Sequence, residues 1–319
     1  MTSPEVKIAN PKPQAGFSFS GHETFVFRYG WLKKAVDEVR QDPCIFSSAE
    51  AMVKLGVGKN MVRSIRHWAL ATRVLAEEPH TRGLELKPTP LGDFIFGPGG
   101  VDPYLEDANS LWLLHWNLVT NEQRSTTWSW AFNLLLANEF SRDSLTAVIR
   151  SELQKRGAKL PSENSLRRDI DCFVRSYVKA RAKALVPEDS LDCPLVELEL
   201  IEDDDGANLF HFKRGIRPSL SDAVFVFALL DFWDKTAPNR EALPFSEIAY
   251  GFGSPSCGFK LDESSLVERL DRLESVTKGV LAYTETAGLK QVYRRGPVPG
   301  FQLLERYYRT SFVTVPVGA

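Results

Sequence analysis

The sequence predicts a mainly α protein with small β-hairpins, an α+β fold of tandem winged-helix or helix-turn-helix modules joined by a Trp-rich helical region. Three observations carry that prediction. Apolar residues recur at three- and four-residue intervals in the first third of the chain, the spacing of one helix face. A short helix, a bend, a longer helix and a hairpin follow one another near the start and again near the end. Between those runs stand Trp112, Trp116, Trp128 and Trp130. At 319 residues the chain exceeds one ordinary domain and suits two or three. They divide it as a flexible arm (1–15), an N-terminal winged helix (16–98), a Trp- and Leu-rich helical connector (99–140), a helical module with a hairpin (141–216) and a C-terminal winged-helix-like module (217–319).

The arm carries Pro4, Pro11 and Pro13 among polar residues and has no apolar core like that of a secretory signal. The first helix is predicted near Gly21, because Ser20-Gly-His-Glu23 has capping-box spacing. Trp31, Leu32, Ala35, Val36 and Val39 give it one apolar face, and Asp42-Pro43 ends it. A second capping box, Ser47-Ser-Ala-Glu50, opens a short helix with Ala51, Met52 and Leu55. Gly56-Val57-Gly58 then breaks it, as glycines permit a turn with positive φ. A third helix over 59–72 has Val62, Ile65 and Ala69 on its back and Lys59, Asn60, Arg63, Arg66 and His67 on its front. Such a helix suits the major groove, where Arg pairs with guanine and Asn with adenine. Short strands over 74–77 and 84–87 form the wing, and residues 89–96 open a connecting helix.

The connector reads as two core helices joined near 120–127, with His115 and the tryptophans more readily core packing than a base-stacking pocket. Asp143 is expected to cap a helix reaching Lys155, and residues 165–185 form another, with Ile170, Phe173, Val174 and Tyr177 inside and Arg167, Arg168, Arg175, Lys179, Arg181 and Lys183 along it. Val196, Leu198 and Leu200 alternate with Glu197, Glu199 and Ile201, and Asp205-Gly206 turns the chain into Leu209-Phe-His-Phe212, a predicted hairpin. In the last module, helices over 221–234, 245–250 and 262–277 precede a hairpin of 280–283 with 291–294. Its third helix carries Glu263, Glu268, Asp271 and Glu274, so it is expected to pack or to bind protein. Only Lys290, Arg294 and Arg295 in its wing suit DNA.

The composition, 43% hydrophobic and 25% charged, excludes a wholly disordered chain. No apolar run approaches the roughly 18 residues of a membrane span; together with the arm, this predicts a cytoplasmic protein. Cys44, Cys172, Cys193 and Cys257 form no C-x-x-C pair, which predicts buried reduced thiols rather than a disulfide framework or zinc knuckle. The net charge of −2 hides strong patterning. Residues 51–76 hold no acid but five cations, Lys54, Lys59, Arg63, Arg66 and Arg73. Residues 150–183 hold ten cations against four acids, a second candidate for phosphate contact or for an acidic partner protein. Residues 184–212 hold no Lys or Arg.

Chemistry is harder to find. His22-Glu23 could bind a metal or act as acid and base, although Glu23 is already used in the predicted cap. Glu85-Leu-Lys87 has a nuclease-like E-x-K spacing but lies in the predicted wing, and Asp203-Asp-Asp205 reads as solvated charge at a turn. Phosphate-loop, dinucleotide and H-E-x-x-H motifs are missing, so nucleotide hydrolysis, dinucleotide redox and zinc peptidase work are disfavoured. No cofactor is indicated by these residues.

Five segments carry a family resemblance: Phe19-Ser-Gly-His-Glu-Thr-Phe25, Phe27-Arg-Tyr-Gly-Trp-Leu-Lys33, Leu55-Gly-Val-Gly-Lys-Asn-Met-Val-Arg63, Ile65-Arg-His-Trp68 and Leu111-Trp-Leu-Leu-His-Trp116. They resemble the bacterial DUF4007-type family, whose members look like components of gene clusters for DNA phosphorothioation and phage defence. The resemblance implies a double-stranded DNA substrate and, as partners, a cysteine desulfurase, a sulfur-transferring enzyme and an ATPase. It also implies similarity to the Ssp-type DNA-nicking component, whose chemistry would call for a divalent metal. It transfers no catalytic residue. The leading expectation is a DNA-binding component that presents or nicks duplex DNA for sulfur insertion. A winged-helix transcription regulator without catalysis and a protein-interaction adaptor stand as alternatives.

Overall fold

The computed structural model describes residues 16–135, 137–179, 193–204, 208–286 and 288–312. The predicted arm, Arg181, Lys183 and the Asp205-Gly206 turn lie outside these residues. Among the described residues the fold is mixed α+β, with helices throughout and three small antiparallel sheets.

The first third holds α1 (Trp31–Gln41), α2 (Ala51–Leu55), α3 (Lys59–Ala71), the strands β1 (Leu75–Glu77) and β2 (Leu86–Pro88), and α4 (Pro90–Phe96). The buried face of α1 is the predicted one, Trp31, Leu32, Ala35, Val36 and Val39, and it packs on α3, α4 and β2. Gly56 ends α2 in the left-handed region at φ 66°, as the bend requires. Strands β1 and β2 pair with Ala76 opposite Lys87. The two predicted capping boxes do not form. Residues 20–24 make a tight turn instead of a helix start, because the backbone N–H of Ser20 is taken by the buried carboxylate of Asp169, 2.6 Å away. Glu50, rather than Ser47, precedes α2, and the Ser47 hydroxyl turns to the carbonyl of Leu84.

The middle comprises α5 (Ala108–Val119), α6 (Thr126–Leu134), β3 (Glu139–Ser141), α7 (Arg142–Lys155) and α8 (Glu163–Tyr177). Every residue of α5 from Asn109 to Val119 is buried, the condition of a helix apolar on all sides. The cap of α7 is Ser141, reciprocated by Ser144, not Asp143. The next helix starts two residues early because Ser162 accepts the N–H of Ser165, and it ends at Tyr177 rather than 185. The predicted strand over 196–201 is mostly a 3₁₀ turn, Pro194–Leu198. Only β4 (Ile201–Asp203) and β5 (Leu209–Phe212) pair, with β3 on the other edge of β5.

The last third holds α9 (Asp222–Thr236), β6 (Ala242–Pro244), α10 (Phe245–Tyr250), α11 (Pro255–Phe259), α12 (Glu263–Asp271), α13 (Leu273–Val276), β7 (Leu281–Thr286), β8 (Leu289–Arg294) and α14 (Gly300–Phe312). The predicted helix over 262–277 is thus two pieces, capped by Asp262. Helix α14 lies on α9 and is tied to α5 through Tyr308–Ser110 and Tyr307–Asn109 hydrogen bonds of 2.8 and 2.6 Å.

One apolar core runs from Val26 to Tyr308, with a satellite of Ala51, Leu55 and Val62 under α2. His115 lies wholly inside it, accepting from Tyr177 at Nδ1 (2.9 Å) and donating to the carbonyl of Gly258 at Nε2 (2.8 Å). Burial lowers its pKa to about 3, so the ring is neutral core. Cys172 and Cys193 are buried as expected, but Cys44 is exposed and Cys257 half-buried. No helix among the described residues is long and apolar enough to cross a membrane.

Candidate nucleic-acid interface

The turn over 20–24 organises the site. Ser20, Glu23 and Thr24 adopt φ of 68°, 49° and 67°, a left-handed conformation that disfavours residues with a Cβ and so needs compensation. Asp169 supplies it from α8. Its Oδ1 accepts from Ser20 N (2.6 Å) and from His22 Nε2 (2.8 Å), while His22 Nδ1 accepts from Thr24 N (3.0 Å). The bond to Nδ1 puts the proton of His22 on Nε2. The ring is fully buried with both nitrogens engaged, which leaves none for a substrate. Gly21 presses on α3: a Cβ there would lie 2.5 Å from His67 Nδ1. Packing this close explains the glycine inside the Phe19–Phe25 segment.

The structure sorts the predicted contact residues. Lys59, Asn60 and Arg63 are exposed at the start of α3, and Lys54 is exposed on α2, 3.7 Å from Glu50. Lys59 and Asn60 carry no ion pair among the described residues, and Arg63 stands 3.5 Å from Glu23 with more than half its side chain in solvent. Three others are drawn inward. Arg66 donates to Glu77 (3.1 Å) and to the carbonyl of Gly83 (2.9 Å), bracing the hairpin against the helix. His67 lies under Gly21 with Nε2 buried and unpaired, and burial lowers its pKa to about 3, so it brings no charge. Arg73 donates to Asn117, to the Thr120 hydroxyl and to the Thr120 carbonyl (3.2, 3.0 and 2.7 Å), closing the C-terminus of α5.

Both basic tracts meet at the turn. Glu23 reaches Arg63 of α3, and the carbonyl of the next residue, Thr24, accepts from Arg175 of α8. Arg167 and Arg168 are exposed on the same helix, and a cleft of ≈ 340 Å³ is lined by Thr24, Arg142, Arg168, Asp171 and Arg175. His22 and Glu23 diverge, one to Asp169 and the other to Arg63, and do not converge on a common point. Lys87 of the E-x-K triplet pairs with Glu78 at 2.8 Å. Asp203 and Asp204 close β4, with Asp204 3.7 Å from His211. Among the described residues no group of three or more His, Cys, Asp or Glu side chains is arranged to hold a metal. Sequence reasoning missed Arg142 and Asp169. A signal existed for Asp169: it sits on the apolar stripe Leu166, Ile170, Phe173, Tyr177, where an acid implies a buried partner.

Residues 19–308 match the family model described as Protein of unknown function (DUF4007). The chain belongs to the DUF4007 family. This member is similar to two solved structures, described as the magnesium ion-bound SspB crystal structure and the SspB crystal structure. It shares 31% identity with each, covering 94% of this chain and 90% of those, with TM-scores of 0.83 and 0.81. No match was found among curated proteins.

Proposed function

We propose that this DUF4007 protein is the DNA-binding component of an Ssp-type DNA phosphorothioation and defence system, gripping duplex DNA and nicking it for sulfur insertion. The observation that carries the reading is the exposed, carboxylate-poor start of α3, Lys59, Asn60 and Arg63, in a chain with SspB-like structure over 94% of its length. Helices α1 to α3 with the β1–β2 hairpin have the element order of a winged helix, in which α3 enters the major groove. The partners of the reading are a cysteine desulfurase, a sulfur-transferring enzyme and an ATPase.

Nicking would need a divalent ion, and one neighbour is described as magnesium-bound. The described residues assemble no ligand set for it, so no step is assigned through a metal. Magnesium commonly takes one or two carboxylates with waters and substrate phosphates. Supercoiled plasmid incubated with the protein and Mg²⁺ or Mn²⁺ is expected to yield open circles. If only retarded plasmid appears, a binding role alone survives; if neither appears, the DNA reading fails.

A further inference from the structure

Many guanidinium groups among the described residues are neutralised by carboxylates. Arg156 lies 2.7 Å from both Glu122 and Glu152, Arg240 is paired with Glu247, and Arg272 sits 2.7 Å from Asp222. The cleft between the turn and α8 is less fully neutralised than those sites. Its walls bring three arginines together against one acid, Asp171. Arg142 is fixed there by Asp171, Nε to Oδ1 2.7 Å, and by stacking 4.9 Å over the ring of Phe210. Arg175 donates to the Thr24 carbonyl, and Arg168 has no ion pair or hydrogen bond among the described residues. Each guanidinium has five donors, so most donors here are unused.

We propose that this cleft is a phosphate-binding site, with Arg168 and Arg175 as the donors and Arg142 as the fixed wall. Excess positive charge in a concave site, with planar forks suited to paired oxygens, is what recognises a phosphate group. The inference rests on the DNA-binding reading for its source: the phosphate is one on the strand that lies across α3. Glu23, at Arg63, and Thr24, at Arg175, are consecutive residues, about 3.8 Å apart at Cα. A strand carries one phosphate per roughly 3.4 Å of helix axis. Helix α3 and the cleft therefore contact phosphates within a few nucleotides of each other, with the strained turn beneath the intervening backbone.

The test uses two ligands on the full chain. Inorganic phosphate is titrated by calorimetry, and a labelled duplex by anisotropy over a salt series. Arg168→Ala is the informative variant, because an exposed side chain with no partner among the described residues can be removed without disturbing the fold, which a thermal melt verifies. Saturable phosphate binding is expected in wild type and in Lys59→Ala/Arg63→Ala, and at least a tenfold loss in Arg168→Ala. The duplex salt slope is expected to fall by about 0.9 in Arg168→Ala. Arg168→Ala unchanged in both titrations overturns the proposal, as does a duplex that binds through α3 alone. Phosphate binding dependent on Arg168 without duplex binding would support the site and refute its DNA source. Arg168-dependent binding of an acidic peptide with no phosphate binding would overturn the proposal in favour of a protein contact.

Discussion

The two ends of the molecule use a similar order of elements with opposite handling of charge. At the N-terminal end, Lys59, Asn60 and Arg63 stand exposed on α3, and among the described carboxylates only Glu23 pairs with any of them. At the C-terminal end, five cations on or flanking α12 and the β7–β8 hairpin are each held. Arg269 donates to Asp222 and to the carbonyls of Arg217 and Leu220; Arg272 pairs with Asp222, Lys290 with Glu285 (3.5 Å), Arg294 with Asp234 and Arg295 with Glu274 (3.2 Å). The same residue types build structure in one place and leave positive potential in the other. Neutralisation, not the number of basic residues, separates a scaffold from a candidate interface.

The sharpest break between the ends is Arg269→Ala. It strands two buried carbonyls and removes one of the two arginines that hold half-buried Asp222, and is expected to cost about 3 kcal/mol in urea unfolding without altering duplex affinity. A comparable loss for Lys59→Ala/Arg63→Ala would erase the contrast. That double variant should instead leave stability within about 0.5 kcal/mol and lower the salt slope of duplex binding by about 1.8, two contacts at 0.9 each.

Titration sharpens the comparison. Lys260, buried with Nζ on the carbonyl of Phe132 (2.7 Å) and 4.0 Å over the Phe212 ring, has its pKa pushed down to about 7 by desolvation. Between pH 7 and about 10.5 the unfolded chain holds more protons, so stability rises with pH over that window. Urea midpoints at pH 7 and 9.5 should differ in wild type and converge in Lys260→Met. His67 acts lower: folded at about 3 against 6.5 unfolded, it makes stability fall as pH drops below 6.5. The smallest expected effect is that of Arg294→Ala/Arg295→Ala, whose exposed pairs contribute at most about 1 kcal/mol and whose loss should leave the salt slope unchanged.

The helices around the candidate site were largely legible. The apolar stripe Val62, Ile65, Ala69 oriented α3, and Gly56 ended α2, because periodicity and positive φ are local properties. Residues 20–24 were misread, since capping-box spacing describes what Ser20 can do alone and not what Asp169, distant in sequence, does to it. The fates of Arg66 and Arg73 were hidden for the same reason: their partners, Glu77 with Gly83 and Asn117 with Thr120, come from a hairpin and from another helix.

By itself, then, the sequence determined the helix faces, the α2–α3 bend, the two hairpins and the family. Tertiary structure decided which cations stay exposed, that His22 is locked in the interior, and that α3 and α8 meet across the turn. Periodicity tells a side chain which way to point, whereas its charge is free or cancelled according to what distant chain folds against it.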